Sequence, residues 1–85
     1  MAVKLLYFAW VREKVGKAEE IVDLPGGIDT VADLVAWLQQ RGPEYEDAFC
    51  RPGLVRAAID KRHVQPTSAI TGAREIALFP PVTGG

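Results

Sequence analysis

The sequence holds one cysteine, Cys50, among 85 residues. A lone thiol excludes an internal disulfide framework, and it is too few for a Cys-rich zinc site or a Cys-ligated iron–sulfur cluster. Free, it suits a reducing compartment. Histidine is equally scarce: His63 stands alone, without a second imidazole for a metal or catalytic constellation. Charge of one sign is also lacking, since 10 Lys and Arg face 11 Asp and Glu for a net of −1. Lys14, Lys17, Arg41, Arg51, Arg56, Lys61 and Arg62 are scattered among acids, so no basic stripe argues for nucleic acid. No window approaches the roughly 20 apolar residues of a membrane span. The apolar start is broken by Lys4, Arg12, Glu13 and Lys14, with no signal-peptide pattern. A soluble, cytoplasmic chain with no membrane association is expected. One small domain has room for a single core but not easily for a private deep cleft. Its chemistry belongs at an edge, a terminus, or a site that a partner completes.

Val3 to Val11 is a β-branched, leucine and aromatic run in which Val3/Leu5/Tyr7 and Leu6/Phe8/Trp10 are both apolar. It reads as a strand covered at least partly on both faces. A turn around Val15 to Ala18 would join it in a hairpin to a second strand, Glu20 to Leu24, ended by Pro25-Gly26-Gly27. Thr30 and Asp33 form a capping-box-like start to a helix in which Val31, Leu34, Val35 and Leu38 make one apolar stripe. Gly42-Pro43 is its stop signal, while Asp29, Asp33 and Arg41 suit its dipole. Glu44 to Phe49 fits a short helical turn and Leu54 to Ile59 a strand. Lys61 to His63 reads as a polar turn, Val64 as the start of a short return segment, and Pro66 to Gly72 as a loop. Glu75 to Phe79 is the last strand. The resulting order, β-β-α-(turn)-β-(β)-β, predicts an α+β domain with one main helix across a mixed sheet of four or five strands, the β-grasp (ubiquitin-like) order. We assign residues 1–79 to this domain and 80–85 to an extended functional tail.

That tail, Pro80-Pro81-Val82-Thr83-Gly84-Gly85 after Phe79, carries the most chemistry. The prolines lack N–H donors and end the ladder, directing the chain along an extended path. Val82 and Thr83 favour extension, and two glycines make the thinnest possible approach. Six extended residues span about 20 Å, enough to enter a partner's active site. The end group is a carboxylate, inert to acyl transfer until ATP converts it to an adenylate. A sulfur donor displacing AMP would leave a thiocarboxylate.

The opening Lys4-Leu5-Leu6-Tyr7-Phe8-Ala9 with Arg12-Glu13 and Gly16, the middle Leu24-Pro25 and Thr30-Val31, and the closing Phe79-Pro80-Pro81-Val82-Thr83-Gly84-Gly85 together resemble the small, sulfur-carrying subunit of molybdopterin synthase, a ubiquitin-like family. The resemblance runs through essentially the whole chain. It implies that Gly85 is adenylated by an adenylyltransferase related to ubiquitin-activating enzymes, using ATP, and is then thiocarboxylated. It implies insertion of the tail into a large subunit, in a heterotetramer of two small and two large subunits, and sulfur donation to cyclic pyranopterin monophosphate to form the dithiolene. The small subunit would contribute the sulfur nucleophile without catalysing the reaction alone, and would bind no metal or cofactor of its own. By position, Gly85 is the carrier and Gly84 its slim approach. Phe8, His63, Phe79, Pro80, Pro81, Val82 and Thr83 would meet the partner. The chain departs from the family at two turns: Asp60 stands where Asn is frequent, and Gly72-Ala73-Arg74-Glu75 where Gly-Asp-Glu is frequent.

The same ending fits a sulfur carrier of another pathway, such as thiamine or cysteine synthesis, or a ubiquitin-like modifier that forms isopeptide bonds through Gly85. A β-grasp binding module with an inert tail would tolerate loss of Gly84 and Gly85. Trp10 and Trp37 read as edge-of-core residues, Glu44, Glu46 and Asp47 as a solvated face, and Cys50 as incidental beside Arg51.

Overall fold

The computed structural model describes residues 2–81. Its elements are β1 (Ala2–Tyr7), α1 (Ala9–Val15), β2 (Glu19–Asp23), α2 (Val31–Gln39), α3 (Pro43–Ala48), a 3₁₀ turn (Pro52–Leu54), β3 (Arg56–Ile59), β4 (Arg62–Val64) and β5 (Glu75–Phe79). The strands form one sheet in the order β2-β1-β5-β3-β4. The central pair β1–β5 is parallel, and the pairs β1–β2, β3–β5 and β3–β4 are antiparallel. Only one of the two apolar sets of β1 is fully buried. Val3, Leu5 and Tyr7 join Ile76 and Leu78 of β5 and the stripe Val31, Leu34, Val35 and Leu38 of α2 in a single core. This is the mixed-sheet, helix-on-one-face architecture of the β-grasp, as the order of elements predicts.

The beginning of the chain differs from the sequence reading. The expected strand over Val3 to Val11 ends at Tyr7, and Ala9–Val15 is a helix instead of a strand end and hairpin turn. Val11 and Val15, about one helical turn apart and so on one face of α1, both enter the core. Gly16, at φ 88°, closes it by donating its N–H to the Arg12 carbonyl, a left-handed cap that glycine adopts without a Cβ penalty. Trp10 therefore rides on α1 and, like Trp37, lies half-buried at the margin of the core.

At α2 the capping box is complete. The Asp33 N–H donates to Thr30 Oγ1 at 3.1 Å, and the Thr30 N–H donates to Asp33 Oδ2 at 3.2 Å. The Asp29 N–H donates to the same carboxylate oxygen, and these backbone donors hold the Asp33 carboxyl below its usual range. Gly42-Pro43 stops α2 but also starts α3, with Pro43 in the first turn, where its missing N–H costs no helical bond. A bond from the Gln39 side-chain amide to the Phe49 carbonyl ties the two helices together. The Arg41 N–H donates to the Leu38 carbonyl at the end of α2, and its guanidinium reaches Glu20.

The departure at the two family turns proves to be one device. Asp60 and Lys61 take left-handed φ values of 48° and 75° in the β3–β4 turn. Asp60 Oδ1 accepts the backbone N–H of Arg74 and of Glu75, so one carboxylate holds both turns. His63, expected in a turn, lies on β4 opposite Ala58.

Candidate functional site

The helices cover one face of the sheet, and alternation along the strands sends the remaining side chains to the other. Register sets them in rows. Leu6 lies beside Ala77, Ala77 beside Ala58, and Ala58 beside His63. In the next row Phe79 lies beside Arg56. Phe8, extended at φ −127° and ψ 156°, follows inward-pointing Tyr7, and its N–H donates to the Leu78 carbonyl. It thus reaches the same face at the level of Phe79. Within the row Ala58 is only 7% exposed, whereas Leu6 and Ala77 are half-buried. Phe8 is 48% exposed, and the His63 and Phe79 rings meet with centroids 5.1 Å apart.

The face therefore gathers three residues singled out in the sequence, Phe8, His63 and Phe79, at the root of the tail. Pro80 and Pro81 follow Phe79 outside any regular element and are half-buried. Val82, Thr83, Gly84 and Gly85 lie outside the described residues. Leu6, Ala58, Ala77 and Arg56 share the face without having been anticipated. Strand alternation was the signal for them, since Leu6 is out of phase with Leu5 and Tyr7 while Ala77 is in phase with Phe79. The half-buried or exposed apolar side chains Leu6, Phe8, Ala77 and Phe79 make a surface suited to docking against a partner.

A polar cluster lies on the opposite side of the sheet. Glu20 Oε2 accepts the hydroxyl protons of Tyr7 and Tyr45, each at 2.7 Å, and pairs with the Arg41 guanidinium at 3.0 Å. Lys17 lies 3.6 Å from the other oxygen. Burial raises the pKa of both tyrosines, and the Glu20 carboxylate raises them further. Burial opposes ionisation of Glu20 itself, yet the bonds from Tyr45, Tyr7 and Arg41 together outweigh it and lower its pKa. Arg41 also stacks over the Trp37 and Tyr45 rings. Tyr7, Tyr45, Arg41 and Lys17 are each tied to Glu20, so the cluster is a clasp between β1, β2 and the α2–α3 corner. Nothing in the local sequence announces it, because its members come from four separate segments.

Among the described residues no three His, Cys, Asp or Glu converge as metal ligands, and no helix is long and apolar enough to cross a membrane. Cys50 is exposed, as are Glu44, Glu46 and Asp47, the last paired to Lys14 at 3.0 Å.

Comparison with known proteins gives consistent results. The ThiS family model matches residues 5–85. The molybdopterin synthase sulfur carrier subunit of Escherichia coli is 32% identical over 83 residues, covering 98% of this chain and 99% of the relative. The subunit of the same name in Chlamydomonas reinhardtii is 31% identical over the full length of both. The crystal structure of the Haloferax volcanii small archaeal modifier protein 1 superposes with a TM-score of 0.70 at 27% identity, covering 95% of this chain and 98% of the other.

Proposed function

This chain belongs to the ThiS family, and on that premise we propose that it is the sulfur carrier subunit of a molybdopterin synthase. The observation that carries the reading is the apolar face of exposed Phe8 and half-buried Phe79 and Leu6, next to a segment that continues to Gly84-Gly85. The face docks; the tail reacts. An activating enzyme joins the Gly85 carboxylate oxygen to the α-phosphate of ATP, expelling pyrophosphate. A sulfur donor then attacks the acyl carbon and expels AMP, leaving the thiocarboxylate. Docked on the large subunit, that sulfur attacks the cyclic pterin precursor to form a thioester. Water then cleaves the acyl–sulfur bond, leaving the sulfur on the pterin and the carrier as a carboxylate to be recharged. The large subunit supplies the pterin site and the acid–base groups, so the carrier alone turns nothing over. We assign it to the cytoplasm, in a heterotetramer of two carriers and two large subunits.

Incubation with ATP, an activating enzyme of this type and sulfide, followed by intact mass measurement, tests this. The expected gain is one sulfur less one oxygen, lost on deletion of Gly85. No gain, or the same gain without Gly85, would refute the reading. Likeness to the small archaeal modifier protein favours a second reading, in which a lysine amine captures the same adenylate. Adducts on target lysines, seen as gel shifts, would identify it.

A further inference from the structure

Lysines and arginines are used differently in the two halves of this fold. In the first half four of the five cations, Lys4, Lys14, Lys17 and Arg41, each pair with a carboxylate, Arg12 being the exception among the described residues. From residue 49 onward the chain has Arg51, Arg56, Lys61, Arg62 and Arg74 against only Asp60 and Glu75. Among the described residues none of these five cations forms a salt bridge. Asp60 accepts two backbone N–H groups at the far end of β3, about 13 Å of strand from Arg56. Unpaired positive charge is thus left around the start of β3.

There the sheet has an indentation. β4 ends at Val64, and the chain turns away before it can pair with Arg56. The gap opens a cleft of about 380 Å³ whose lining includes Arg56, His63 and Gln65 at the rim and Val31, Val55 and Val64 beneath. No acidic side chain lines it. Among the described residues the Arg56 guanidinium donates only to the Gly53 carbonyl, at 3.2 Å, through one of its five N–H donors. The cleft also adjoins the docking face directly: Arg56 is the register partner of Phe79, and the His63 ring packs at a tilt against the Phe79 ring.

We propose that this cleft receives an Asp or Glu side chain of the large subunit, held by Arg56 and His63 while the tail beside it enters the active site. The proposal rests on the docking reading given above. An aliphatic stem would lie on the valines while the carboxylate meets the cationic rim, an arrangement a small solvated anion would not need. Occupancy would fix how the carrier is rotated about Phe79, and so where the tail points. It would also select the cognate large subunit over one that presents a neutral or basic residue at this place.

Titration calorimetry of the full-length chain with the large subunit, at low and high NaCl, decides the matter. Arg56→Glu should weaken association roughly ten- to a hundredfold at low salt, with the gap narrowing as salt rises. The neutral Arg56→Gln and His63→Ala should each weaken it several-fold. Arg74→Glu makes the same change in net charge at the opposite end of β5 and should leave affinity within about twofold. Equal losses for Arg56→Glu and Arg74→Glu would overturn the proposal, as would wild-type binding by Arg56→Glu. Arg56 is exposed, so unchanged thermal midpoints should accompany both of its variants; if Arg56→Glu unfolds, Arg56→Gln carries the test. Phe79→Asp separates the two levels. If it abolishes binding while the Arg56 variants do not, the cleft is lost and the docking face stands; if it too binds normally, both fall.

Discussion

Removal of the Glu20 carboxylate should cost this small domain a large share of its stability. The side chain is 13% exposed and accepts two tyrosine hydroxyls at 2.7 Å and the Arg41 guanidinium at 3.0 Å. Hydrogen bonds to a charged group contribute about 1.5–3 kcal/mol each, and a buried hydroxyl left without a partner costs about 1–3 kcal/mol. Tyr7, at 1% exposed, and Tyr45, at 5%, cannot turn to solvent, whereas the Arg41 side chain, at 30%, can. Glu20→Ala is therefore expected to cost about 3–5 kcal/mol, against a total of about 4–13 kcal/mol for a chain of this length. In a thermal melt that is a fall of more than about 12 °C. Glu20→Gln keeps an acceptor but loses the charge, and should cost about 1–3 kcal/mol. The pH dependence gives an independent reading. The folded-state pKa of Glu20 lies below its ordinary value of 4.5, so between the two the unfolded chain binds more protons. Its stabilisation is fully present above about pH 4.5 and is lost as pH falls through the folded pKa. Denaturant titrations from pH 3 to 7 should accordingly show a shallower acid limb in Glu20→Gln. An Ala variant that loses less than about 1 kcal/mol, or an acid limb unchanged in the Gln variant, would refute the clasp.

Two smaller changes test the local devices. Thr30→Ala removes the oxygen that accepts the Asp33 N–H and should cost about 1 kcal/mol in urea unfolding, with the mass gain at Gly85 unchanged. Asp60→Ala loses the acceptor for Arg74 and Glu75 and places alanine at φ 48°; about 1–3 kcal/mol should go, whereas Asp60→Asn, tolerant of that conformation, should stay within about 0.5 kcal/mol of wild type.

The elements legible in the residues were those with both a period and a boundary. α2 has its stripe from Val31 to Leu38 and its Thr30 cap; β5 has Ile76 and Leu78 in phase and Pro80 as its end. α1 reads as a continuation of β1 because Leu6, Phe8 and Trp10 extend the apolar run without a break in composition. The boundary is a matter of backbone, with Ala9 at φ 51° turning the chain between strand and helix, and no residue type near it forces that turn. His63 was placed in a turn because Lys61 and Arg62 are polar; they are polar because β4 is a short edge strand with solvent beside it.

The sequence alone determined most of the strands and the capped helix α2, because hydrophobic period, capping residues, proline and glycine act over a few residues. Only the tertiary structure decided which side chains stand together: Phe8 and Phe79 across parallel strands, Glu20 between Tyr7 and Tyr45, Arg56 and His63 around one cleft. Those neighbours are set by strand register and sheet order. Both arise from burying one shared core, to which residues far apart in the chain contribute at once.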